Sequence, residues 1–424
     1  MEVWLKMSNT KVKIKVDLVI SQAAEALTCV GDSMEDIGII TNAWIAIKDD
    51  KIVGVGSEEE IKAQFEFDSG SVVNATGKVV VPGFVDSHTH LVFYGTRVEE
   101  YAAKLTGKPE KLEKLLMTIG PNRTIELTRN TPADELFEQS KKRMLTMLEH
   151  GITTVESKSG YGLTTESEIK ILEVSRRLGE ETPLDVINTF LGAHGIPENL
   201  SKEEYMEVII NDMIPKVAER KLAEFCDVWC DAGYFTAEES ERILKAGLEY
   251  GMKPKIHADA YSYIGGSDLA AEMKMVSIDH LNYTPVEVMK KLAEAKVTAV
   301  LMPALDFAVG HKRPFDARQM LDLGMNIALA TDLCPASYTQ SMQFVIALAC
   351  RLYKFSVEEA IKAATIAGAR ALNLDDRGTI QVGKLADLQI WDVPTYKHVA
   401  YELGTNVVET VIKNGIVVVN RKSK

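Results

Sequence analysis

Between residues 81 and 378 short apolar runs alternate with amphipathic stretches, and this alternation is what most narrows the folds open to the chain. Eight such runs can be read, at 79–88, 152–157, 185–194, 225–231, 253–259, 275–280, 297–303 and 326–332. The stretches between them, such as ESEIKILEVSRRLG and TAEESERILKAGLEYG, place apolar residues at helical spacing and end at glycine, as helix stops often do. Eight βα units in succession predict a parallel (β/α)8 TIM-like barrel. The two ends are written differently. Residues 1–80 and 379–424 are strand-rich, with turn signals at Asp49-Asp50 and Asn414-Gly415. The expectation is an α/β chain in which a catalytic barrel over 81–378 is inserted into a small β-sandwich domain built from both termini.

In a barrel of this kind the working groups sit at the C-terminal ends of the strands. Five of the eight histidines fall there: His88, His90, His194, His257 and His280, while Asp332 closes the eighth run. His150, His311 and His398 do not join the pattern. Within VPGFVDSHTH, Val81 to His90, the two histidines are two residues apart and leave a strand on the same face. A bare H-x-H is more often two polar residues on a half-exposed strand; the gathering of the others at one barrel end turns the reading toward metal. Three neutral imidazoles with one carboxylate suit Zn²⁺ or Fe²⁺ and leave room for a water. The ligand set is His88, His90, His257 and Asp332. Asp332 doubles as general base, and His280 orients the water or polarises a substrate carbonyl.

The chain has 424 residues, 46% hydrophobic and 26% charged, enough for a full core. Its net charge of −13 argues against nucleic acid and anionic membrane surfaces. The start, MEVWLKMSNTKVKIKVDLVI, is broken by Lys6, Lys11, Lys13 and Lys15 and does not read as a signal peptide. Five cysteines, an odd number, fit reduced thiols. The expected setting is cytoplasmic.

VPGFVDSHTH, KIHAD, SIDH and ALATD, with the flanking GKLADLQIWD and VIKNG, resemble the amidohydrolase superfamily over about residues 15 to 417. GITTVESKSGYGL and NTFLGAH are narrower and are similar to the imidazolonepropionase family within it. The resemblance implies hydrolysis of 4-imidazolone-5-propanoate, a small anionic substrate, to N-formimidoyl-L-glutamate in histidine degradation. It implies Arg97 as the cation for the propanoate, and Tyr161, His194 and Ser337 as further substrate contacts. It also implies one metal ion, since binuclear relatives use a lysine on strand four and FCDVWCD has none there, although Cys230 or Asp231 could bridge. A homodimer is a family expectation. The chain departs from the family pattern at Ala260, where Glu or Gln is usual, at Cys334-Pro335-Ala336 in place of Asn-Pro-Gly, and at Asp231 in place of Glu. Asp259, Tyr261 or Tyr263 could substitute for the group missing at 260. The competing readings are another amidohydrolase acting on a different cyclic amide or amidine, and a catalytically silent scaffold.

Overall fold

The computed structural model describes residues 13–423 apart from 114, 116, 117 and 312–315; the N-terminal lysines 6 and 11 lie outside the described residues. Eight parallel strands pair in chain order: Phe84–Asp86, Ile152–Lys158, Asp185–Ala193, Phe225–Cys230, Lys253–Ala258, Ser277–His280, Thr298–Leu301 and Ile327–Leu329. The ring closes where the chain beyond the first strand meets the chain beyond the last. Asp332 N–H donates to His88 C=O at 3.1 Å and His90 N–H to Leu333 C=O at 3.0 Å. Two candidate ligand segments are thus the closing seam of the barrel.

The helices pack their apolar stripes on the outside of this ring, burying Ile171, Leu178, Ile243 and Leu244. Ser201, Thr236 and Ser356 start helices with reciprocal capping boxes. Gly251 lies just beyond the helix Ala237–Glu249, as expected, but Gly179 does not stop its helix, which runs Thr165–Glu181. Gly179 is small because strand three passes close by: a Cβ there would sit 3.3 Å from that of Val186.

Strands from both ends form a second, mixed sheet in the order Ile416–Asn420, Val408–Lys413, Leu388–Trp391, Val79–Pro82, Leu18–Leu27, Ile39–Lys48 and Lys51–Gly56. Both hairpins form, with Lys48 paired to Lys51 and Lys413 to Ile416. Asn414 and Gly415 take φ of 50° and 78°, the left-handed pair that a tight hairpin demands. The sheet curls until Ile52 N–H donates to Lys384 C=O and Ala386 N–H to Asp50 C=O, enclosing Ile20, Ile45, Leu388 and Ile412.

The run 79–88 is not one strand. Val79–Pro82 pairs with Leu388–Trp391 in the terminal sheet, and the barrel strand begins only at Phe84. Gly83 is the crossing point, where its N–H donates to Asp387 C=O and a Cβ would come within 2.2 Å of Thr153 Oγ1. Gly83→Ala should therefore destabilise the fold by about 1–3 kcal/mol, read as a lower denaturant midpoint; an unchanged midpoint would show that Thr153 moves aside freely.

Candidate active site

The C-terminal mouth of the barrel gathers imidazoles. Ring centroids of His88 and His257 are 4.6 Å apart, and His90 lies 5.5 Å from His88 and 5.7 Å from His257. One ring nitrogen of each lies within 4.8 Å of the other two, the spacing of ligands to one ion. Asp332 Oδ1 stands 3.6 Å from His88 Nε2 and 3.9 Å from His90 Nε2. His88 Nε2, His257 Nε2 and Asp332 Oδ1 are buried and find no hydrogen-bond partner among the described residues. Buried polar atoms are rarely left so. Nitrogen and carboxylate atoms that converge with no hydrogen bond among them are the donor set of a divalent metal, and the four residues expected from sequence fit one.

Two of the three imidazoles, those of His88 and His257, have a carboxylate behind them. Asp279 Oδ2 is 2.7 Å from His88 Nδ1, and Asp227 Oδ2 is 3.0 Å from His257 Nδ1. Such backing selects the tautomer that presents Nε2 to the ion. Burial, with Lys158 next, holds His88 well below the usual histidine range, so it is the neutral, ligating form. Burial likewise raises the Asp332 carboxyl well above its usual range against the hydrogen bond from Cys334. A cation beside it is what would keep it ionised.

His280 lies 5.2 Å from His257 and 5.5 Å from His88, ring to ring. Burial and the neighbouring His257 push it down to about 3, so the ring is neutral. Its φ is +87°, a conformation costly to any residue but glycine, and Asp332 is at +47°. Strain of this kind is kept where a side chain has to be aimed.

Tyr161 and His194 do reach the mouth: their rings are 5.3 Å apart, and His194 stacks on His90 at 4.6 Å. The turn that carries Tyr161 is shaped by Gly160, at φ +114° and with no room for a Cβ beside His194. It is anchored by Glu168, whose buried carboxylate accepts from the N–H groups of Gly160, Gly162 and Leu163 at 2.7–2.8 Å. Arg97 and Ser337 line a cavity of about 420 Å³ with Tyr101, Phe307 and Tyr338. Arg97 Nε is buried with no partner among the described residues, and its charge is felt by both Tyr161 and Cys334.

Other expectations are corrected. Asp231 accepts from Tyr261 N–H at 2.8 Å, Ala232 N–H at 2.9 Å and the Ser262 hydroxyl, so it ties down a loop. Cys230 packs outward, its Sγ 2.9 Å from where a Gly266 Cβ would be. Neither faces the imidazoles, and the inward carboxylate of strand four is Asp227. Of the three substitutes considered for position 260, the Tyr263 hydroxyl is taken up by Asp268 at 2.5 Å, while Asp259 accepts from the Thr284 hydroxyl at 2.7 Å through Oδ2 and keeps a buried Oδ1 with no hydrogen-bond partner among the described residues. Tyr261 remains on the rim, stacked on His311, its hydroxyl pushed up to about 12 by burial and then by Asp332.

What the sequence reading missed is the floor. Glu156, Lys158, Asp227, Lys255 and Asp279 are fully buried inside the barrel, where apolar side chains are usual. Lys158 Nζ lies 2.7 Å from Asp227 and 3.0 Å from both Glu156 and Asp279, and Lys255 Nζ lies 2.6 Å from Glu156. The available signal was a charge at alternate positions within short apolar strands: Glu156/Lys158 and Lys255/His257. Trp229, 5.2 Å from His194 and stacked on Tyr234, is a further wall residue.

Residues 79–418 match the model of the amidohydrolase family. An imidazolonepropionase from Alkaliphilus oremlandii is 43% identical over 92% of this chain and 93% of its own. One from Clostridium tetani is 43% identical over 95% of this chain and 98% of its own. Among solved structures, an adenosine deaminase from Xanthomonas campestris with bound zinc superposes with a TM-score of 0.72 at 17% identity, covering 97% of this chain and 94% of that one. An atrazine chlorohydrolase from Arthrobacter aurescens complexed with zinc gives 0.68 at 16% identity, covering 96% of both chains.

Proposed function

The chain belongs to the amidohydrolase family and, within it, to the imidazolonepropionases, hydrolases of C–N bonds in cyclic amides; from that membership we propose how its barrel mouth opens the ring of 4-imidazolone-5-propanoate. The product is N-formimidoyl-L-glutamate, a step of histidine degradation. The observation that carries the site assignment is the convergence of ring nitrogens of His88, His90 and His257 within 4.8 Å of one another, with Asp332 Oδ1 3.6 Å from His88 Nε2 and 3.9 Å from His90 Nε2.

We assign those four residues to one divalent ion, Zn²⁺ or Fe²⁺. When bound, the ion supplies Lewis acidity that makes a water nucleophilic near neutral pH. Asp332 takes the proton of the attacking water at a carboxylate oxygen and delivers it to the departing ring nitrogen as the C–N bond breaks. His280, neutral, donates a hydrogen bond to the carbonyl oxygen as negative charge builds there. Arg97 pairs with the propanoate, Tyr161 and His194 wall the ring, and Ser337 bonds its polar edge. Burial of the mouth excludes bulk water from these contacts.

The first test is loss of 4-imidazolone-5-propanoate with purified, metal-replete protein, alongside chelated protein. Chelator-sensitive formation of N-formimidoyl-glutamate supports the reading, and metal-loaded protein that leaves this substrate intact refutes it. Arg97→Ala should raise KM by about 10- to 100-fold, the worth of a charge-assisted pair of hydrogen bonds, with a smaller change in kcat. An unchanged KM would remove Arg97 from the propanoate site. Among the described residues no helix is long and apolar enough to cross a membrane. We read the enzyme as cytoplasmic and homodimeric, a state that light scattering checks.

A further inference from the structure

Lys158 stands at an unusual place. Its ammonium touches the very oxygens that aim the imidazoles: Asp279 Oδ2, 3.0 Å from Nζ, is 2.7 Å from His88 Nδ1, and Asp227 Oδ2, 2.7 Å from Nζ, is 3.0 Å from His257 Nδ1. Glu156 Oε1 closes the cage at 3.0 Å, while Glu156 Oε2 is buried with no hydrogen-bond partner among the described residues. Two groups of donors around Nζ are spaced to hold a metal in their own right: His88, Glu156 and Asp279, and Asp227, His257 and Asp279.

Three carboxylates this close in a sealed interior cannot all stay ionised without cations among them. Lys158 and Lys255 supply two positive charges, and Lys255 reaches only Glu156 of the three. Among the described residues the lysine in direct ion-pair contact with Asp227 and Asp279 is Lys158. We propose that the Lys158 ammonium is a built-in second cation, lying where Glu156, Asp227 and Asp279 would otherwise gather a second divalent ion. It restricts the barrel to one ion and holds two carboxylates against His88 and His257. Lys158 is thus a positioning residue, reached from strand two.

The inference rests on the metal site proposed above, and metal counting separates the two. Wild type, Lys158→Met and Lys158→Met/Glu156→Gln are each saturated with Zn²⁺, freed of loose ions and analysed for metal per chain; a parallel Co²⁺ series is read by visible absorption. The double variant removes one charge of each sign, so keeping the buried balance should the single variant fail to fold, and leaves the Asp227, His257 and Asp279 group intact to take the second ion. The expected result is one ion in wild type and two in whichever variant folds, with a second set of Co²⁺ bands. Folded variants that stop at one ion with wild-type Co²⁺ spectra would overturn the inference while leaving the metal site intact, as would a wild type that takes two ions into the barrel. A wild type that binds none overturns both.

Discussion

Asp332→Asn is expected to lower kcat by about 10²- to 10⁴-fold through loss of the proton acceptor alone, and further through weaker metal retention. The change is nearly isosteric. The Asp332 backbone N–H that closes the barrel on His88 C=O at 3.1 Å is untouched, so the fold should persist. What disappears is the only negative charge at the mouth within 4 Å of both His88 Nε2 and His90 Nε2 among the described residues. An amide cannot accept the water's proton and donates from an atom that should face a cation. The check is kcat together with metal content and the unfolding midpoint of the variant. Turnover near wild type in a metal-replete, folded variant would refute both roles. Loss of turnover with full metal content would separate the base from the ligand.

His280→Ala should reduce kcat by about 10²- to 10³-fold with KM changed only a few-fold, the signature of a donor that matters as charge develops on the substrate. Burial and His257 push His280 down to about 3, so the ring stays neutral through the working range and no proton equilibrium of its own shapes the rate. Its backbone, at φ +87°, is held in a costly conformation whose evident return is the direction of the ring. Stability measured alongside should fall little, because alanine at that φ is strained no more than histidine. A kcat close to wild type would leave His280 as a wall of the site and move carbonyl polarisation to another group.

The barrel and the ends of its strands could be read from period alone. Strand spacing puts His88 beside His90, and eight βα units bring the ends of distant strands to one rim, so His257, His280 and Asp332 were legible as a group before any distance was measured. Resemblance then pointed to Arg97, Tyr161, His194 and Ser337; the structure sets Tyr161 and His194 against His90, while Arg97 and Ser337 line a cavity of their own. The reading failed where identity depends on which way a side chain turns. Asp231 and Cys230 looked able to bridge a metal because they end strand four, yet Asp227, inside that strand, is the residue that faces the imidazoles. The strand at 79–88 was read through Gly83 because its apolar run is continuous. Pairing with Leu388–Trp391, more than 300 residues away in sequence, is what splits it.

The charged floor makes the division plain. Local pattern, which is set by the two-residue period of a strand and the 3.6-residue period of a helix, determined the barrel, the hairpins and the rim of histidines. It could not show that Glu156, Lys158, Asp227, Lys255 and Asp279 meet, because they are spread over four strands and only ring closure brings those strands' charges within about 3 Å of one another. A buried charge is tolerable only beside its counter-charge. Apart from Lys158 and Glu156, which share a strand, each pair is made across strands, so the tertiary structure decided which ions pair, which imidazoles they aim, and where a metal is left to bind.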